Sequence, residues 1–280
     1  MTQVAAGACL RASIEFWRST QSEFVNATHY PFSPRGWATL GGNAGVQYWQ
    51  AVEPWPGPSW SHIELGGRWK AGMYDVQRSF APVLVAGRLE EVEGTLALLV
   101  YFSRAAYEDL PSSGVQLRIS AMLWSGGPSG TPILRDVVLP APLGSALLFS
   151  SPLQQVLSDT ECPARSACVL TLDVVAIDSS VIAHNFLFIS RMNDVTTLRD
   201  PGLSVASVDK TGPLEFAVKV AAVSVPAVVV WLETPLQGRW GDNNVLMTAP
   251  LIQISFFAED ASVTAQQLEA SLSLWSLFDT

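Results

Sequence analysis

Apolar positions follow two different rhythms along the chain, and the change falls near residue 83. In residues 10–25, "LRASIEFWRSTQSEFV", Leu10, Ile14, Trp17 and Phe24 fall near one stripe while Arg11, Arg18 and Ser22 lie off it. This predicts an amphipathic helix. Residues 26–43 are rich in Pro, Gly and Asn and read as loop. "AGVQYWQAV" (Ala44 to Val52) predicts a short buried strand. "GRWKAGMYDVQRSFAPVL" predicts a second helix, with Trp69, Met73, Val76 and Phe80 at helical spacing and Pro82 ending it. Beyond residue 83 the helical period disappears. Short runs of β-formers take over, among them "TLALLVYFS", "GVQLRISAMLW", "ACVLTLDVVAI", "LEFAVKVAA" and "IQISFFAE", separated by turn clusters. Their spacing and alternation predict antiparallel β-sandwiches, two of them, divided near Arg199-Asp200-Pro201-Gly202. A lone helix–strand–helix unit cannot cover both faces of a parallel strand, so the stretch before residue 83 reads as the end of something larger. The N-terminus lacks a basic leader and reaches Arg11 and Glu15 too early for a signal peptide.

Composition adjusts this picture in two ways. Of 280 residues, 49% are hydrophobic and 15% charged, enough apolar material for a sizeable core. The formal net charge of −9 argues against nucleic acid and against anionic membrane surfaces as partners, since both need basic patches, and it suits an acidic compartment. The longest apolar run, Val220 to Leu232, falls short of the ~20 residues of a membrane span and carries Ser224 and Pro226. Cys162 and Cys168 bracket "CPARSAC", close enough for a small disulfide loop in an oxidising compartment, or for two free thiols. Asn26-Ala27-Thr28 is an N-glycosylation sequon.

Candidate chemistry concentrates in "YWQAVEPWPGPSWSHIELGGRWK" (Tyr48 to Lys70), which holds four tryptophans, three prolines and three glycines. An indole plate can lie against the C–H face of a pyranose, or it can pack a corner between two elements. Glu53 and Glu64 in this segment match no catalytic motif and read as solvated or ion-paired loop acids. His29, His62 and His184 are scattered, no GxSxG is present, and no CxxC pair or histidine cluster suggests zinc. "GGNAG" and "SGGPSG" lack the setting of a nucleotide-binding loop, so neither a metal nor a cofactor is expected. "GRWGDN" (Gly238 to Asn243) reads as a structural turn with an Arg239–Asp242 pairing across it.

Several long blocks, "IEFWRSTQSEF", "GVQYWQAVEPWPGPSWSHIELGGRWKAGMYDVQRSFAPVLV", "HNFLFIS…LRDPGL" and "VVVWLETPLQGRWGDN", together resemble the C-terminal part of the animal lysosomal β-mannosidases, retaining glycoside hydrolases of family 2. The resemblance runs nearly end to end. It implies a mainly β chain: the end of a (β/α)8 barrel (1–82), then an immunoglobulin-like β-sandwich (83–198) and a C-terminal one (199–280). By the same resemblance, residues 44–51 are the eighth barrel strand, 10–25 and 67–81 the seventh and eighth helices, and the Trp-rich loop lies on the catalytic face. Trp49 is then the best candidate for the floor of the mannosyl subsite, with Gln50, Trp55 and Trp60 as further substrate-binding candidates. The family's two catalytic glutamates lie on earlier barrel strands, so no catalytic residue is assigned here and the chain alone is expected to be inactive. The implied partners are an oligosaccharide with terminal β-mannose and the rest of the barrel with the N-terminal domains. The implied location is the lysosome. One departure stands out: the family reads "YWQLNDxW", and Val52 and Glu53 occupy the Asn-Asp positions. Residues 30–42 look like extra length before the strand. A non-catalytic tandem β-sandwich module for carbohydrate or protein contact is the competing reading.

Overall fold

The structure, a computed structural model, describes residues 2–21, 45–55, 57, 59–105, 109–111 and 113–279. The sequon at Asn26, the end of the predicted first helix with Phe24, and the segment 30–42 lie outside the described residues.

Helix α1 spans Thr2–Ser19 and so begins eight residues before the predicted start. Its inward face carries Gly7, Ile14 and Arg18, whereas Trp17 is 42% exposed, so the expected stripe is rotated. The cause is Arg18. Its guanidinium reaches the carbonyls that end helix α2 (Ala71–Ser79), donating to Ser79 O at 2.8 Å and Ala81 O at 2.5 Å. A cation at a helix C-terminus satisfies carbonyls that have no partner within the helix. The two helices cross at Gly7 and Gly72. A Cβ on Gly7 would stand 2.8 Å from the Gly72 Cα, so only the absence of side chains permits this approach.

Two further expectations fail here. Residues 45–51 form no strand; among the described residues the nearest pairing is a parallel bridge from Val52 to Ile63. A strand needs a neighbour to take up its backbone groups, and the neighbour found among the described residues is a later part of the same loop. The second helix begins at Ala71, with Lys70 as its N-cap, so Trp69 lies ahead of the helix and not on its stripe.

The rest is antiparallel β-structure. Strands β1 (Val83–Val92), β2 (Thr95–Arg104) and β5 (Ser145–Pro152) form one sheet in the order β1-β2-β5. Strands β3 (Val115–Leu123), β4 (Pro128–Val137), β6 (Cys168–Ala176) and β7 (Val181–Phe188) form its partner, in the order β4-β3-β6-β7. Between them lies a core built from Leu98, Val100 and Phe102 on one side and Leu117, Ile119, Leu170 and Leu172 on the other. Along β3 the alternation is plain: Val115, Leu117, Ile119 and Ala121 point in, and the residues between them are half-buried. The short helix α3 (Leu153–Asp159) closes one end, and Cys162 and Cys168 beside it are joined by a disulfide. Strand β1 is absent from the sequence expectation because Arg88, Glu90 and Glu91 break its apolar run. In the fold Arg88 instead pairs with Glu90 at 2.6 Å and lies over the Tyr101 ring at 4.3 Å.

The second pair of sheets repeats the plan. Strands β8 (Ser204–Lys210), β9 (Glu215–Ala221), β11 (Gly238–Trp240) and β13 (Leu251–Ala258) run in the order β11-β13-β9-β8. They face β10 (Ala227–Glu233), β12 (Val245–Met247) and β14 (Ser273–Trp275), in the order β12-β10-β14. Phe216, Val218, Val230, Leu232, Met247 and Phe256 fill the space between. Helix α4 (Ala265–Ser271) packs outside, started by a capping box between Thr264 and Gln267. A third cluster joins the two pairs of sheets: Met122, Trp124 and Val169 from the first meet Val228 from the second.

Candidate functional site

The Trp-rich loop has a built interior. Three of its segments lie side by side, because His62 N and Ile63 N both donate to Ala51 O, Glu53 N donates to Ile63 O, and Lys70 N donates to His62 O. The chain reverses at Gly66 and Gly67, whose φ values of 111° and 89° suit glycine. Beneath this lies a buried ion pair between Lys70 and Glu53. Ser59 Oγ donates to the same Glu53 carboxylate at 3.1 Å and accepts from Ser61 N at 3.0 Å. Gln50 Nε2 donates to Ser61 Oγ at 2.9 Å, tying the start of the loop to its middle. Glu53 is thus an ion-paired brace, and its carboxylate is committed to holding the loop.

His62 is buried edge-on to Tyr48, with ring centroids 5.7 Å apart, and its Nδ1 has no hydrogen-bond partner among the described residues. Burial lowers its pKa, and the nearby Lys70 charge adds to the effect. The hydrogen bond from Lys70 holds the Glu53 carboxyl below its ordinary value, against the opposing effect of burial. Both shifts make the fold lose stability as pH falls. Folded His62 binds a proton less readily than the unfolded imidazole, so its contribution starts to decline below about pH 6.5. The contribution of Glu53 is complete above about pH 4.3 and is lost as pH falls through its lower folded value. Urea denaturation from about pH 7 to pH 3 is therefore expected to show two acid-side slopes. His62→Gln should flatten the upper one and Glu53→Gln the lower one. A Glu53→Gln curve that tracks wild type below pH 4 removes the brace.

On this braced frame three tryptophans stand in solvent: Trp49 is 77% exposed, Trp55 69% and Trp60 70%. Among the described residues none of the three is packed into a corner, and the sequence candidates Trp49, Gln50, Trp55 and Trp60 share one loop. Trp69 does the opposite. It turns toward the last sandwich, 5.3 Å from the Tyr74 ring, with the Arg239 guanidinium over its face at 5.3 Å.

The "GRWGDN" turn also differs from expectation. Arg239 does not pair with Asp242. Arg78 from helix α2 takes that carboxylate at 2.5 Å, and also donates to Asn243 O, to Asn244 O and to Asp75 Oδ1. Asn243 is fully buried; its side chain donates to Leu232 O and accepts from Leu232 N, as a neighbouring strand would. Gly238 leaves room for the ring of Phe256, which a Cβ would meet at 2.5 Å. The signature thus fastens helix α2 to the last sandwich, a role that no local spacing shows. Among the described residues no group of three or more His, Cys, Asp or Glu is placed to hold a metal. No helix there is long and apolar enough to cross a membrane.

Two pairs of β-sheets stand behind a helix pair, and the "GRWGDN" turn is locked to the second helix. Residues 198–280 match the family model of the mannosidase Ig-fold domain. The particular relatives follow from the whole chain, which is similar along its length to β-mannosidases. It is 28% identical to the β-mannosidase of Capra hircus over 282 aligned residues, covering 100% of this chain and 29% of that protein. The Rattus norvegicus β-mannosidase gives 28% identity with the same coverages, and the β-mannosidase A of Aspergillus clavatus 26% over 84% of this chain and 25% of that protein. This chain therefore spans less than a third of the length of the relatives it matches. The crystal structure of the β-D-mannosidase from Dictyoglomus thermophilum superposes with a TM-score of 0.66 at 21% identity, covering 98% of this chain and 29% of that one. The exo-chitosanase CsxA of Amycolatopsis orientalis gives 0.64 at 12% identity, over 98% of this chain and 33% of that one. At these identities the structures show a shared fold.

Proposed function

We propose that this chain is the C-terminal part of a retaining β-mannosidase that removes terminal, non-reducing β-D-mannose from oligosaccharides in glycan breakdown. Residues 1–82 then close a (β/α)8 barrel, residues 83–198 form an immunoglobulin-like sandwich, and residues 199–280 a second. The observation that carries the reading is the exposure of Trp49, Trp55 and Trp60 on a loop held from beneath by the Glu53–Lys70 pair. Large exposed indoles on a fixed loop are sugar-stacking plates in waiting, and in a (β/α)8 barrel the strand-to-helix loops form the catalytic face. Double displacement needs two carboxyl groups about 5–5.5 Å apart, as nucleophile and as acid/base. Glu53 is spent on Lys70, so both groups come from the earlier barrel strands of the whole enzyme. This chain supplies the stacking surface that holds the ring while it flattens toward an oxocarbenium-like transition state. Lysosomal residence and a glycan on Asn26 belong to the same proposal, and the Cys162–Cys168 disulfide suits an oxidising route.

The test is Trp49→Ala in a complete enzyme carrying this part. Loss of a stacked aromatic is expected to lower kcat/KM about 10²-fold, or ~2–3 kcal/mol. Trp124→Ala, in the cluster between the two pairs of sheets, is the contrasting variant: it should lower the thermal midpoint and leave kcat/KM per folded molecule unchanged. Full activity in Trp49→Ala would remove this loop from the mannosyl subsite.

A further inference from the structure

A second sugar-binding surface emerges from the residue that the "GRWGDN" turn leaves over. Because Arg78 occupies Asp242, Arg239 makes no ion pair among the described residues and stacks between Trp69 at 5.3 Å and Phe257 at 5.4 Å. It borders a groove of about 440 Å³ between residues 64–70 and the 231–240 segment of the last sandwich. A volume of this order holds a small saccharide. One wall is aromatic: Trp69 lies against Tyr74, and Tyr74 meets Trp231 edge-on at 5.9 Å. The rim is charged. Arg68 pairs with Glu64 at 2.9 Å and reaches across to Glu233 at 3.2 Å.

We propose that this groove binds a neutral oligosaccharide, independently of Trp49, Trp55 and Trp60. The ligand class follows from the lining. Lys70 is spent on Glu53, so Glu64, Glu233 and Glu259 face Arg68 and Arg239, and the groove carries no excess of positive charge to hold an anion. Guanidinium groups only donate hydrogen bonds and carboxylates only accept them. Adjacent groups of the two kinds meet both needs of a vicinal diol, and the indole wall takes the apolar C–H face of the ring. The groove depends on no catalytic group, so its test stands apart from that of the proposed activity.

The experiment is a titration of the 280-residue chain with β-1,4-mannotriose, followed through the tryptophan indole N–H resonances. Trp69 and Trp231 report on the groove, while Trp49, Trp55 and Trp60 report on the loop. Saturable shifts are expected at Trp69 and Trp231, with sodium sulfate producing none. Arg68 and Glu233 side chains are 63% and 48% exposed, so Arg68→Ala and Glu233→Ala leave the fold intact. Each should weaken binding at the groove roughly tenfold, as loss of a charged hydrogen-bonding group does. Shifts confined to Trp49, Trp55 and Trp60, shifts at the groove that sulfate reproduces, or groove binding unchanged in both variants would overturn the proposal.

Discussion

Arg78→Ala should destabilise the protein by about 3 kcal/mol, one of the two largest effects expected of any single substitution here. Its two terminal nitrogens serve Asp242, Asp75 and the carbonyls of Asn243 and Asn244. The Asp75 side chain is only 7% exposed, so removing its cation strands a buried carboxylate, with Asn244 Nδ2 at 2.8 Å still bonded to it. Breaking a buried ion pair from one side costs ~3–5 kcal/mol, and partial exposure of Asp242 places this case at the lower end. Arg78→Lys should recover little, since one ammonium cannot reproduce the planar fork that spans four acceptors. Urea midpoints at constant m-value measure the loss. A change under about 0.5 kcal/mol would show that the "GRWGDN" turn is not fastened through Arg78.

Trp124→Ala is the second. The indole is 2% exposed and packs on Phe188, with centroids 5.9 Å apart, in the cluster where Val169 and Val228 bring the two sandwiches together. Truncating a buried tryptophan costs ~3–5 kcal/mol. The position adds a qualitative signature: with its joint emptied, the protein should unfold in two calorimetric steps where the wild type shows one. Trp124 Nε1 is buried with no partner among the described residues, so Trp124→Phe loses less than its change in volume alone suggests. A single, unshifted transition in Trp124→Ala would mean that the sandwiches are coupled elsewhere.

These two residues mark the boundary of what the sequence discloses. Strands such as β2, β3 and β6 are legible because their apolar runs or alternation are local facts. That Trp49, Trp55 and Trp60 share one loop is legible for a related reason: they stand close together in one proline- and glycine-rich segment. Strand β1 is hidden because its charges break the apolar run, and the Tyr101 ring and Ser19 hydroxyl that take up Arg88 lie on other elements. Arg18 reads as an outward residue of an amphipathic helix until the end of α2 supplies carbonyls for it. The partner of Asp242 could not be read at all, because Arg78 stands 164 positions away and the turn offers Arg239 much nearer. Residues 45–51 mislead in the other direction. Their composition is that of a buried strand, but a strand also needs neighbours, and composition does not show whether they are there.

The end of helix α1 has a consequence for how the chain comes off the ribosome. Its last carbonyls, Arg18 O and Ser19 O, accept from Ser103 Oγ and Ser145 Oγ, which lie 85 and 126 positions later. At about 5–20 residues per second, the helix is complete for roughly 6–25 s before the second of these groups has been synthesised. Throughout that interval the last carbonyl of the helix, Ser19 O, waits for the hydroxyl that will cap it. A helix completed early in this stretch is secured only much later, and this is the window in which a nascent chain of this kind needs shelter.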